Sequence, residues 1–121
     1  MKLTLQQIDK SGVINLTAEG DITIRDFAGG VKNPLEGALG ANWASNRVCM
    51  GLEKIAFIDS SAIGWLIDCQ RKFAEKGGKL VLHSATPRVR DILDLLQMRQ
   101  VLNLADNEAA ARAIFNGESR A

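Results

Sequence analysis

Hydrophobic and polar residues interleave at the start of the chain. Leu3, Leu5 and Gln7 alternate with polar neighbours, and apolar positions resume at Val13, Ile14, Leu16 and Ala18 after Asp9-Lys10-Ser11-Gly12. This pattern around a Ser-Gly turn predicts a hairpin of two strands. Further on, Arg47 to Met50 and Ile55 to Ile58 flank Gly51-Leu52-Glu53-Lys54. The run Ile55-Ala56-Phe57-Ile58 has the length of a buried strand and stops at Asp59-Ser60-Ser61, residue types that start helices. From there Ile63, Leu66, Ile67, Phe73 and Ala74 recur at helical spacing, which predicts a stripe facing the core. Lys76-Gly77-Gly78-Lys79 ends this helix, with glycine able to take the left-handed conformation and cations near the negative end of the dipole.

Leu80 to His83 is a short apolar strand, and the strand-helix-strand order from Ile55 to His83 predicts parallel pairing with a right-handed crossover. The class is therefore α/β. Thr86-Pro87 supplies a cap residue and a proline at the first helical position, ahead of a stripe of Val89, Ile92, Leu93 and Leu96. A closing helix is expected, opened by Asp106-Asn107-Glu108 and packed through Ala110, Ala113 and Ile114, with Asn116 to Ala121 frayed. Thr23 to Asn46 is punctuated by Gly29-Gly30, Asn33-Pro34, Gly37, Gly40 and Asn42, so any helix there is short, within Pro34 to Trp43. Leu39 and Trp43 are expected to cover the sheet.

At 121 residues the chain fits one domain, residues 1–121, with a self-sufficient core. Its 46% hydrophobic and 24% charged composition is that of an ordinary soluble globular protein. A formal charge of +1 argues against nucleic acid and against direct membrane binding, whose partners show basic patches. The N-terminal residues lack a signal-peptide core and no run approaches the roughly 20 apolar residues of a membrane span, so the expected location is the cytoplasm. Cys49 and Cys69 lack the paired spacing of a zinc or redox motif and read as free thiols, Cys49 buried. No cofactor or metal is expected, since His, Cys and carboxylates form no cluster of ligands in the sequence.

The candidate chemistry lies at Ser60 and Ser61, hydroxyls at a helix start where unpaired N–H groups and the dipole favour an anion. A phosphate there would add about −1.5 to −2 charges beside Asp59 and change what can dock. The plainer role of both serines is capping. No GxSxG elbow surrounds them, and a neighbouring Asp59 does not make a triad, which argues against hydrolase chemistry. His83, the only histidine, reads as a polar strand end. A receiver domain phosphorylated on Asp59 would need further acids after the first strand for Mg²⁺, and the hairpin offers only Asp9. A phosphate cradle at Gly29-Gly30 lacks the GxxxxGK[ST] pattern.

Asp59-Ser60-Ser61-Ala62-Ile63-Gly64, followed by a helix, Gly77-Gly78, the strand Lys79 to His83 and then Ala85-Thr86-Pro87-Arg88-Val89, resembles the STAS family, whose usual pattern here is close to D-S-S-G-[LIV]-G. The resemblance runs from about Val48 to Ala113, departing mildly at Ala62 and more strongly in the first third. It implies the STAS fold, a mixed sheet of four to five strands with about four helices packed mainly on one face. By the same resemblance, the chain would be an anti-sigma-factor antagonist and not an enzyme. Ser60 would be phosphorylated by a partner anti-sigma factor acting as a serine kinase, and a separate phosphatase would restore the bare serine. The unmodified form would bind the anti-sigma factor and release the sigma factor.

Asp21, Asp59, Ser60, Ser61, Gly64 and Trp65 are the expected partner-binding residues. Asp21 sits in the family-like step Gly20-Asp21-Ile22 and otherwise reads as a solvated turn residue. Trp65, four residues after Ser61, is expected to be partly exposed beside the switch as a contact anchor, unless the segment Phe27 to Trp43 folds over it. A free monomer is expected. The alternative is an unphosphorylated adaptor subunit of a stress-signalling assembly or a lipid-transport system, and a third reading is a small-ligand sensor using the glycine-rich segment.

Overall fold

The computed structural model describes residues 1–27 and 33–119. The Gly29-Gly30 cradle therefore lies outside the described residues. Two N-terminal strands, β1 (Lys2–Ile8) and β2 (Ile14–Ile22), form the predicted antiparallel hairpin. Its turn is built by Asp9, whose carboxylate accepts from the Ser11 N–H, the Ser11 hydroxyl and the Val13 N–H, while Gly12 takes φ +87°. Such an Asx arrangement followed by a left-handed glycine needs no tertiary support.

β3 runs unbroken over Arg47–Ile58, through Gly51-Leu52-Glu53-Lys54. β2 pairs with it in parallel along nearly its whole length, and the register shifts after Thr17 and after Gly20 absorb the irregularity. Three further elements follow: α2 (Ser60–Lys76), β4 (Lys79–His83) and α3 (Pro87–Leu95). The last are β5 (Asn103–Ala105) and α4 (Glu108–Ser119), so regular helix extends past the residue where fraying was expected. Before β3 lies the short α1 (Pro34–Leu39), capped by Asn33 and ended at Gly40 with φ +89°. The strands stand in the order β1-β2-β3-β4-β5, antiparallel only between β1 and β2. This is the mixed α/β sheet with four helices that the pattern predicts.

The main core lies between one face of the sheet and α1, α2 and α3. Trp43, in a 3₁₀ turn at Trp43–Ser45, meets the ring of Phe73 edge-on at 5.4 Å. α4 alone lies on the other face, where Ala111 and Phe115 cover Val13, Cys49 and Val81. Of the predicted contacts Ile114 is partly buried against this cluster, whereas Ala110 and Ala113 are exposed and Ala111 and Phe115 take the buried positions. In α3 Val89 and Leu93 are buried as expected, whereas Leu96 falls beyond the helix and is exposed.

Both cysteines are buried free thiols. Burial pushes Cys49 up to about 11 and Cys69 up to about 12 from an ordinary 9.0, with the Asn33 amide 3.9 Å from the Cys69 sulfur opposing the shift. Below pH 9 the thiols are protonated in both folded and unfolded chains. Above it the unfolded thiols ionise first, so stability falls as pH rises through the folded values. Thermal melting from pH 8 upward should show a decline starting near 9, shallower in Cys69→Ala. Among the described residues no helix is long and apolar enough to cross a membrane, and no His, Cys, Asp and Glu group is placed to hold a metal.

Candidate functional site

The candidate site forms where β2 and β3 end side by side, paired through Ile22 and Ile58. Asp59 follows in extended backbone and organises the junction. Its N–H donates to the Ile22 carbonyl at 3.2 Å. One carboxylate oxygen, Oδ1, accepts from the Ala62 N–H at 2.9 Å and caps α2; Oδ2 accepts from the Ile24 N–H at 3.0 Å. The side chain thus satisfies a helix-start donor with a charge-assisted bond and ties the loop after β2 to the same point.

Because Asp59 takes the cap, the serines are not needed for it. Ser60 occupies the first helical position and is exposed; Ser61 follows, half-buried. Neither hydroxyl has a hydrogen-bond partner among the described residues. The capping role that the sequence suggested for them is therefore filled by Asp59. At the other end of α2, Gly77 adopts φ +80° and Lys76 lies in the last turn.

The loop after β2 turns through a 3₁₀ segment, Ile24–Asp26, in which Asp26 accepts from the Thr23 N–H at 2.9 Å. It ends at Phe27, whose ring stacks on Trp65 at 5.2 Å and 25°. Trp65 is consequently buried, only 8% exposed, and the expectation of a partly exposed contact anchor is corrected. The buried face of α2 comprises Ala62, Ile63, Trp65, Leu66, Cys69 and Phe73, while Ile67 and Ala74 of the predicted stripe are exposed. The helix is rotated toward the loop because Phe27 offers an aromatic surface there.

Beside these residues lies a shallow depression of about 490 Å³, lined by Ile24, Phe27, Ser61, Gly64, Trp65 and Asp68. Ile24 is 59% exposed. Gly64 is exposed too, and a Cβ there would meet nothing within 4 Å. Packing does not demand this glycine, which leaves the helix surface bare next to Ser61. Asp21 is exposed one residue before the end of β2, in strand rather than turn, and the Ile22–Ile58 pairing brings it to the same end of the sheet as Asp59. Ile24 and Asp68 were not singled out from the sequence, and Phe27 entered only as the start of the segment that, as the alternative had it, covers Trp65. Ile24 and Phe27 sit in an aperiodic stretch, and Asp68 reads as an ordinary solvated helix position.

A mixed five-stranded sheet with a carboxylate-capped helix starting at an exposed serine defines an α/β domain whose distinctive surface is a β-to-α junction. The chain belongs to the STAS domain family, whose model matches residues 4–111. The anti-sigma F factor antagonist of Paenibacillus polymyxa is 27% identical over 65 residues, a match covering 54% of this chain and 56% of that protein. The chain thus matches little more than half the length of this curated relative. A crystal structure of a candidate anti-sigma factor antagonist from Thermotoga maritima superposes with a TM-score of 0.68 at 18% identity, covering 88% of this chain and 89% of that one. The anti-sigma factor antagonist SpoIIAA in its unphosphorylated form gives 0.58 at 15% identity, covering 96% and 97%. The Bacillus SpoIIAA in its phosphorylated form gives 0.57 at 15% identity, covering 93% and 98%. At these identities the structural likeness establishes the fold.

Proposed function

We propose that this chain, acting as a single module over residues 1–121, is an anti-sigma-factor antagonist switched by phosphorylation of Ser60. The observation that carries the reading is the division of labour at the junction: Asp59 does the capping, and the Ser60 hydroxyl stands exposed and uncommitted. The unmodified surface of Ser60, Ser61, Gly64 and the depression beside them docks the anti-sigma factor, with Asp21 and Asp59 at its margin. Trp65 acts beneath this surface as the support on which Phe27 rests. Phosphate at Ser60 places about −1.5 to −2 charges beside the Asp59 carboxylate and obstructs docking. The helix start tolerates that phosphate electrostatically, so modification changes the surface and leaves the fold intact. Catalysis belongs to the partners, an ATP-dependent serine kinase that adds the phosphate and a phosphatase that removes it, both in the cytoplasm. The free chain is a monomer.

Incubation with ATP and the co-encoded serine kinase, followed by intact mass, tests this. One phosphate is expected on the wild type and on Ser61→Ala, and none on Ser60→Ala. Phosphate retained by Ser60→Ala would overturn the assignment. No phosphate with any co-encoded kinase would instead favour an adaptor subunit, to be sought by pull-down.

A further inference from the structure

α4 covers only part of the sheet's second face. Val13, Cys49 and Val81 lie under it, and since strand side chains alternate, the next positions on that face are Asn15 and Thr17 on β2, Gly51 and Glu53 on β3, and His83 on β4. The register sets Thr17 against Gly51 and Gly51 against His83. Asn15, Leu16, Thr17, Glu53 and His83 border a cleft of about 480 Å³, which Gln6, Gln7, Ser84 and Glu108 also line. Its size falls within the roughly 300–1,000 Å³ of small-molecule sites.

Three features set this cleft apart from an ordinary solvated face. Asn15 is 3% exposed, its amide N–H donates to the Val13 carbonyl at 3.4 Å, and its Oδ1 is buried without a partner. The N–H bond fixes which way the amide points, so the orphan is an acceptor. His83 is 7% exposed, with Nδ1 2.8 Å from the hydroxyl of Ser84, a serine in the left-handed region at φ 60°. Gly51 brings Glu53 and His83 close together: a Cβ there would come within 2.6 Å of a Glu53 carboxylate oxygen and 3.1 Å of the His83 ring. Glu53 therefore folds back over the glycine toward the imidazole.

The charges are unbalanced. Glu108 pairs with Arg112 at 3.3 Å, whereas Glu53 has no ion-pair partner among the described residues. Burial lowers the His83 pKa against the opposing pull of Glu53 and Glu108, with Arg112 adding to the lowering, so the ring supplies no compensating cation at neutral pH. An uncompensated carboxylate and a buried unpartnered acceptor exclude an anion and call for a positively charged donor. No group of three potential metal ligands is assembled among the described residues, which points to an organic cation.

We propose that this cleft binds a small organic cation with N–H donors, a primary amine or a guanidine, with Glu53 as counter-ion and the Asn15 amide, its oxygen unpartnered, in the wall. It lies on the opposite face of the sheet from α2 and does not depend on the role given to Ser60. The test is an NMR titration of the full chain with butylguanidinium and, separately, its neutral isostere butylurea. Saturable shifts at Asn15, Thr17, Gly51 and His83 with butylguanidinium only, at a dissociation constant of about 1 mM or tighter, are expected. Glu53→Gln, an exposed change that leaves the core untouched, should weaken this at least about tenfold. Non-saturating shifts, equal binding of butylurea, or unchanged affinity in Glu53→Gln would each overturn the proposal. Ser60 phosphorylation should be the same in Glu53→Gln and the wild type, which keeps the two readings separable.

Discussion

Gly78→Ala is expected to destabilise the protein by about 3 kcal/mol, the upper part of the range for forcing atoms into a packed interior. A Cβ at residue 78 would lie 2.3 Å from the Ala44 carbonyl oxygen and 2.4 Å from that of Asn46, with the Phe73 ring at 3.0 Å. Both oxygens belong to backbone. Neither can rotate away as a side chain end could, and the Asn46 carbonyl is already engaged by the Lys79 N–H at 3.1 Å. Relief requires the end of α2 and the segment before β3 to separate, which loosens the contact of Trp43 with Phe73. Thermal denaturation should show a fall on the order of 10 °C. Gly77→Ala is the internal comparison, because residue 77 has φ +80° but nothing within 4 Å of its Cβ position. Its cost is the left-handed backbone alone, about 1 kcal/mol. A Gly78→Ala protein no less stable than Gly77→Ala would refute the close approach.

The second large effect is expected at Asp59. Asp59→Ala removes the cap on Ala62 and the anchor on Ile24 together, and should lose about 2 kcal/mol, the top of the range for a helix N-cap. Asp59→Asn divides the two functions. Its amide oxygen still accepts from Ala62, but its NH₂ now faces the Ile24 N–H, donor against donor. Amide hydrogen exchange reads this directly: in Asp59→Asn the Ile24 amide should exchange much faster while Ala62 stays protected, and in Asp59→Ala both should be fast. An Ile24 amide indifferent to both substitutions would show that the carboxylate does not hold the loop. Weaker docking of the proposed anti-sigma partner to unphosphorylated Asp59→Asn, with the kinase still able to modify its Ser60, would assign the loop a part in recognition.

Local signals carried much of this fold. The Asp9 turn, the Thr86-Pro87 start, the Gly77 stop and the strand-helix-strand order all act within a few residues, and each was readable without knowing its surroundings. What could not be read depends on distant partners. Gly51 interrupts an apolar run, and it is pairing with Thr17 on one side and His83 on the other that keeps β3 continuous. Trp65 was expected to be partly exposed because it falls off the stripe drawn through Ile63, Leu66 and Ile67. Phe27, in a segment without periodicity, covers it. The burial of Ala111 in place of Ala110 in α4 has the same origin: alanines are spread along the helix, and Phe115 rather than their spacing determines which side turns inward. At the candidate site Asp59, Ser60, Ser61 and Gly64 were readable as a junction, but that one carboxylate serves both helix and loop is a tertiary fact. The buried polar group of Asn15, Thr17 and His83 was invisible, since its members come from two strands, β2 and β4, far apart in the sequence.

The two borders of the sheet are unequal, and neither invites a neighbour. β5 offers only three residues, and β1 changes register between Leu5 and Gln7. A foreign strand seeking continuous backbone pairing would meet a ladder too short on one side and out of step on the other. Leu5 and Ile8, 49% and 59% exposed, sit along the irregular border, where a regular strand would make them an aggregation hazard. The kinked margin leaves a second copy of this chain no regular edge on which to extend the sheet.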